Sequence, residues 1–311
     1  MRAESLDTAP VPGNDRAPPE SRHELAPVPP PEARSQGLAP VASSEARPQG
    51  LKLPASEAAA NLAGAARAWA DSPDWMDYLQ PGSPAFSHKR AERELVMRAW
   101  GGVLADRGCV LDIGGGIGRF AMPCLDAGAT VHLVDADAEA LACAQRHAVG
   151  RPGRLQTWVA DAAQLPAALP RADAAILSEL LCYVADPAAV LEGLRPRLLP
   201  GAPLCFSVEA RWGWAMAVDA PPGQLGALFG DGVVHVPGDR FVRTYEEADV
   251  RALFAGWTLE RLVPTHFVFG GPLQQVAGEL DEAELQRWEE RAAAHPVLGR
   301  LNRAWTGVAR A

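Results

Sequence analysis

The chain has 311 residues, of which 48% are hydrophobic and 22% charged, with a net charge of −9. That supports one large domain or two small ones and opposes a nucleic-acid partner, whose phosphates need basic surface. No apolar run approaches the ~18 residues that span a bilayer, the first twenty residues carry no apolar signal segment, and five cysteines without a C-x-x-C pair disfavour a disulfide framework or a zinc site and fit reduced thiols in the cytoplasm.

Residues 1–54 hold 11 of the 28 prolines and no aromatic residue. Too little apolar surface is available there to offset the entropy of ordering, so a disordered Pro/Ala-rich tail is expected. It repeats itself loosely around Glu32-Ala-Arg and Glu45-Ala-Arg, too briefly for a solenoid unit. Residues 55–107 are expected to form an N-terminal helical lid. An Ala-rich helical pattern over 56–70 leads to Trp75, Tyr78 and a Pro-Gly-Ser-Pro break. An amphipathic helix over 86–105 follows, with Leu95, Val96, Trp100, Val103 and Leu104 on its apolar face.

From Cys109 onward strand and helix signals alternate. Apolar runs at 109–113, 130–134, 155–160, 173–178 and 202–208 predict strands, and helical patterns at 118–127, 137–148 and 187–198 lie between them. That alternation implies an α/β domain with a parallel sheet and crossover helices. Residues 210–244, rich in Gly, Pro and aromatics, read as an insertion. A short helix over 246–254 and two more strands within 256–269 complete a core spanning 108–270. C-terminal helices are expected over 271–311, with 281–309 helical apart from a break at Pro296.

The most informative segment is Val110-Leu-Asp-Ile-Gly-Gly-Gly-Ile-Gly-Arg-Phe, a buried strand running into a glycine loop. Glycines let the backbone turn sharply and approach a ligand closely. Gly114, Gly116 and Gly118 give G-x-G-x-G, whereas a dinucleotide fingerprint needs G-x-G-x-x-G and a P-loop needs Gly-Lys-Ser/Thr. Asp112, just ahead of the loop, suits an amine-bearing ligand rather than a phosphate. Asp135 ends the second strand, where a carboxylate can accept both hydroxyls of a ribose. Asp161 follows the third strand. Three acids at successive strand tips line one crevice, the place where open α/β sheets bind ligands.

This constellation resembles the class I S-adenosylmethionine-dependent methyltransferases over roughly residues 70–270. Residues 110–118 are similar to the family's first motif, Asp135 to its second-strand acid, and Val159-Ala-Asp161-Ala to its adenine motif. Residues 174–187 resemble the fourth strand and its loop, and Leu198-Leu-Pro-Gly-Ala-Pro-Leu204 the turn into strand five. The resemblance implies a doubly wound, mostly parallel, seven-stranded Rossmann-like sheet with helices on both faces. It implies S-adenosylmethionine as cofactor, with Gly114 and Gly116 under its methionine part, Asp135 on the ribose, Asp161 and Ala162 on the adenine, and Ser178 near the amino-acid end. A basic residue before the first strand is implied for the cofactor carboxylate; of Lys89, Arg90 and Arg93, Arg90 is selected. Tyr78 either closes over the sulfonium, a cation–π contact of roughly 0.5–2 kcal/mol, or joins Trp75 in stapling the N-terminal helices to the core.

In the ubiquinone-type branch the loop after strand four carries a histidine where this chain has Tyr183. A phenol of pKa ~10 is a poor base at neutral pH but a good hydrogen-bond donor and cation–π surface. Base-assisted O-methylation therefore loses its expected residue, and Tyr183 and Glu209 are the candidates for orienting a nucleophile. Ser207, Trp212 and Trp214 lie near the expected pocket mouth, and His266 reads as a packed or surface histidine. No H-x-x-x-H pair or His/Cys cluster is apparent, so no metal is expected. No Asn/Asp-Pro-Pro-Tyr/Phe motif follows strand four, which argues against nucleobase methylation. The leading expectation is a methyltransferase of a small molecule in bacterial specialised metabolism; the Ala-, Arg- and Pro-rich composition suggests a GC-rich genome. A second reading keeps the fold and lets the cofactor's own amine attack its γ-carbon, as in the azetidine-2-carboxylate synthases, with methylthioadenosine released. A third is a non-catalytic cofactor-binding protein, which the intact loop and three acids oppose.

Overall fold

Parallel strands covered on both faces read as continuous apolar runs, and each of the five expected runs is a strand. The computed structural model describes residues 69, 71–216, 222–236, 240–274 and 280–311. The expected tail over 1–54, the Ala-rich stretch 56–70 except residue 69, and the side chain of Trp75 lie outside the described residues.

In chain order the elements are α1 (Pro73–Met76), α2 (Phe86–Ala99), β1 (Cys109–Ile113), α3 (Ala121–Asp126), β2 (Thr130–Asp135), α4 (Ala138–Ala148), β3 (Arg154–Val159) and β4 (Ala174–Ser178). They continue with α5 (Pro187–Leu194), β5 (Pro203–Glu209), α6 (Pro222–Phe229), β6 (Val233–Val236), β7 (Arg240–Arg243), α7 (Glu247–Leu253), β8 (Thr258–Thr265), α8 (Glu282–Ala294) and β9 (Ala304–Arg310). Helix α2 stops at Ala99, short of the expected 105, because Gly101 and Gly102 turn left-handed at φ +69° and +74°. Asp137 caps α4 by accepting from the amides of Glu139 and Ala140. Asp186 caps α5, which Pro187 opens at a position that needs no amide donor.

Seven strands form one sheet in the order β3-β2-β1-β4-β5-β9-β8. The pairs among β1 to β5 are parallel, and β9 runs antiparallel to both β5 and β8. The order reverses between β1 and β4, so a crevice opens there beyond the carboxyl ends of the strands. Alternate residues of the strands fill two cores. Leu111 and Ile113 pack with Leu177 and Phe206 on one face, while Val110 packs with Leu133, Trp100 and Phe120 on the other.

Two expectations are corrected. Residues 256–269 hold one strand, β8, and the seventh strand is β9, from the block 281–309 read as helical. That block contains α8 and then changes state. Ala304-Trp-Thr-Gly-Val-Ala-Arg310 mixes poor helix formers with alanines, and tertiary pairing decides its conformation: Cys205 faces Val308 on one side and Val263 faces Thr306 on the other. Gly307 sits where a Cβ would come within 2.4 Å of the Phe206 ring and 2.7 Å of the Arg261 carbonyl. The segment 210–244 carries α6 and the antiparallel pair β6–β7. No helix among the described residues is long and apolar enough to cross a membrane.

Candidate active site

Strand β1 delivers Asp112 to the crevice, and the chain then turns through Gly114, Gly116 and Gly118 at φ +69°, +54° and +85°. A Cβ at Gly115 would meet Leu133 at 2.2 Å and Asp112 at 2.5 Å, whereas one at Gly116 would meet nothing within 4 Å. The loop is thus packed from behind at Gly115 and open toward the crevice at Gly116. Gly118 faces Met122 instead; it shapes the loop but does not line the crevice.

The crevice is a cavity of about 470 Å³, within the range of small-molecule sites. Its lining includes Asp112, Asp135, Asp161 and Ala162 together with Tyr78, Arg119, Ser178, Glu179 and Tyr183. The two Asp135 oxygens accept from the amides of Gly116 at 2.8 Å and Asp137 at 2.9 Å, so this carboxylate fastens the loop as well as facing the cavity. Burial raises its carboxyl, and those backbone donors pull it back. Asp161 accepts from the amide of Ala163 at 2.8 Å, which holds its loop in a tight turn.

Asp112 is the unusual member. Its carboxyl is 1% exposed, and neither oxygen has a hydrogen-bond partner among the described residues. Burial, with the negative charge of Asp135 added, pushes it up to about 7. A buried polar group left unpaired is costly unless a ligand completes it. An ammonium group supplied by a ligand would do so, and the open side of Gly116 gives that ligand close access to the backbone. S-adenosylmethionine carries both an ammonium and a ribose, and the residues present fit it.

Arg119 and Glu179 belong to a charge network that the sequence did not reveal. Arg119, only 8% exposed at its side chain, pairs with Glu92 at 2.9 Å and with Glu179 at 2.7 Å. Lys89 adds a bond to Glu92 at 2.7 Å, and His266 approaches the other Glu92 oxygen at 3.2 Å. Burial works against the Glu92 and Glu179 charges, but Arg119 and Lys89, joined at Glu92 by His266, together outweigh it and hold both below the usual carboxylate range. Glu179 is left-handed at φ +59°, anchored by donation of its amide to the Ser207 hydroxyl. Ser207 also meets Ser178 at 3.0 Å. His266 proves to be packed within this network, at φ +65° and 5% exposed.

Tyr78 packs against Ile117, Ala140 and Cys143 and reaches the cavity from the N-terminal segment. Burial raises its hydroxyl and pushes that of Tyr183 well above the ordinary phenol value. Both stay protonated at neutral pH.

Two expected site residues lie elsewhere. Arg90 is half exposed, 3.8 Å from Glu282, and does not line the cavity; its position on α2 turns it toward α8, and Arg119 is the guanidinium at the site. Glu209 accepts from Arg303 at 2.9 Å and from the Trp214 indole at 3.2 Å, and it too is absent from the lining. Trp214 lies under the Arg303 guanidinium at 3.6 Å and Trp212 packs on Phe229, so both are packing residues of the 210–244 segment. Arg119 was visible in sequence as the residue after the loop, but Glu92 and Glu179 as its partners were not.

Residues 111–204 match the sequence profile of a methyltransferase domain. A search of curated proteins finds no match. Among solved structures, the chain is similar to an S-adenosylmethionine-dependent methyltransferase from Mesorhizobium loti, at 20% identity and TM-score 0.51 over 71% of this chain and 98% of that one. It is also similar to a putative methyltransferase of the same dependence from Listeria monocytogenes, at 14% identity and TM-score 0.52 over 72% and 97%. A third is the Burkholderia thailandensis 1,6-didemethyltoxoflavin-N1-methyltransferase, solved with 1,6-didemethyltoxoflavin and S-adenosylhomocysteine, at 17% identity and TM-score 0.52 over 86% and 97%. These likenesses establish the fold, and the domain match spans the glycine loop, Asp135, Asp161 and the loop after β4. Residues 111–204 thus carry a methyltransferase domain by sequence, on the fold shared with S-adenosylmethionine-dependent methyltransferases.

Proposed function

We propose that this protein transfers the methyl group of S-adenosylmethionine to a small molecule. The observation that carries the reading is one cavity lined both by Asp112, Asp135 and Asp161 and by Tyr78, Arg119 and Tyr183. Asp135 holds the ribose hydroxyls, Asp161 and Ala162 the adenine, and Asp112 the ammonium, which relieves its unpaired burial. The cofactor supplies a methyl on a sulfonium, an electrophile that needs no further activation. Tyr78 and Tyr183 both line the cavity, and an aromatic face favours a cation.

Among the described residues, no unengaged base stands beside Tyr183. Tyr183 is a protonated phenol, Glu179 is tied to Arg119, and Glu209 is bound to Arg303. Catalysis then rests on alignment and exclusion of water, and the acceptor brings its own nucleophile, an amine or an already acidic group. The Burkholderia enzyme is an N1-methyltransferase of 1,6-didemethyltoxoflavin, as its name states; a comparable low-mass heteroatom acceptor from specialised metabolism is proposed here, in a cytoplasmic setting.

The test is purified protein with S-adenosylmethionine, with and without a panel of amine and acidic hydroxyl acceptors, products read by mass spectrometry. S-adenosylhomocysteine formed only with an acceptor supports the proposal. Methylthioadenosine with a four-carbon amino acid from cofactor alone overturns it in favour of ring closure. Failure to bind the cofactor returns the protein to a non-catalytic role.

A further inference from the structure

On α4, Cys143 and His147 stand one turn apart, so both point to the same side of the helix. Asp77 meets them there from the chain just after α1. Its Oδ1 lies 2.6 Å from Nε2 of His147, and the donor atoms of Asp77, Cys143 and His147 all lie within 4.8 Å of one another. The expectation that the chain has no His/Cys cluster is therefore corrected: the signal was Cys143-x-x-x-His147, and its third member lies 66 residues from Cys143 in sequence (143 − 77).

We infer that Asp77, Cys143 and His147 form a site for a divalent ion of zinc type, which fastens the segment carrying Tyr78 to α4. The donor set is one thiolate, one imidazole and one carboxylate, a combination that suits Zn²⁺ and leaves a fourth position for water. With metal–ligand bonds of ~2.0–2.3 Å, tetrahedral donors stand roughly 3–4 Å apart. The trio is within reach of that spacing by rotation of side chains, with the Asp77–His147 contact opening. The side chains of Asp77 and His147 are 17% and 21% exposed, so an ion can enter from solvent, while Cys143 closes the site from the buried side. The competing cation, Arg146, is 3.9 Å from Asp77 and 64% exposed at its side chain, free to turn outward. The other cluster of comparable donors, Glu92, Glu179 and His266, already surrounds the Arg119 guanidinium and is not a metal site.

Binding exchanges a proton for the metal: the M²⁺–S bond forms as the Cys143 S–H proton leaves to solvent.

The test uses the full chain, stripped by chelator and kept reduced, titrated with Co²⁺ and followed by absorbance. One equivalent should produce a thiolate-to-cobalt charge-transfer band, erased by added Zn²⁺. Cys143→Ser should abolish the band. His147→Gln, at a partly exposed position that tolerates change, should weaken binding at least about tenfold, since even outer-sphere partners cost that much. It keeps the test intact should Cys143→Ser not fold. No band at saturating Co²⁺, or a band of equal strength and affinity in the variants, overturns the assignment.

Discussion

Replacing Arg119 by Met keeps an unbranched apolar stem, shorter by the guanidinium head, and removes the charge at the centre of the buried network. At an effective dielectric of about 20, unit charges ~3 Å apart attract by about 6 kcal/mol per pair, and desolvation cancels most of that. Breaking such a pair by removing one partner typically costs about 3–5 kcal/mol. Here the loss falls toward the lower end. Glu92 keeps Lys89 at 2.7 Å and His266 at 3.2 Å, and Glu179, 31% exposed at its side chain, can recruit water. The expected loss is about 3 kcal/mol at pH 7, read by urea denaturation. The pH dependence has a definite sign. Glu92 and Glu179 are held below their unfolded values, so their stabilisation is present above the unfolded pKa of about 4.3 and disappears as pH falls through the lower folded values. The gap between wild type and Arg119→Met should therefore narrow only as pH falls below about 4, and Glu179→Gln should partly rescue the variant. A loss below about 1 kcal/mol at pH 7, or one unchanged at acid pH, refutes the network as described.

Asp112→Asn tests the orphaned carboxyl. Its folded value, about 7, lies above the unfolded one, so it destabilises the cofactor-free protein as pH rises toward 7. The variant should be the more stable at about pH 8, by up to about 4 kcal/mol, while binding S-adenosylmethionine more weakly; calorimetry reads both. Asp135→Ala should cut cofactor affinity at least about tenfold, because it loses a ligand carboxylate and the anchor of the Gly116 amide. Tyr183→Phe should leave turnover within a few-fold, whereas Tyr183→Ala should cost about 2- to 30-fold if the ring face matters. A chain ending at residue 303 should not fold, since β9 lies between β5 and β8; circular dichroism of that truncation decides it.

The elements that sequence patterns revealed are those whose cause is local. Strands β1, β2, β4 and β5 are buried on both faces, so their apolar runs stand out, and Asp112, Asp135 and Asp161 follow from being placed at strand tips beside a glycine loop. Strand β9 was hidden because Trp305, Thr306 and Val308 sit among alanines next to a true helix, and its conformation comes from two partners distant in sequence. Arg90 was selected and Arg119 passed over for a related reason. A basic residue is visible in one dimension, but Arg119 becomes the site cation only when Glu92, 27 residues before it, and Glu179, 60 residues after it, close around it. Glu209 ends β5 as expected, yet Arg303 from beside β9 captures it. Cys143 and His147 were legible at helical spacing; Asp77 was not.

The most direct test of methyl transfer to a small molecule is the fate of an isotopically labelled methyl. Protein and methyl-labelled S-adenosylmethionine would be incubated with a low-mass cell extract, and all products followed by mass spectrometry. The account predicts label in a low-mass acceptor, matched by an equal amount of unlabelled S-adenosylhomocysteine, and lost in Asp135→Ala. Label retained in methylthioadenosine, with no S-adenosylhomocysteine formed, would contradict it.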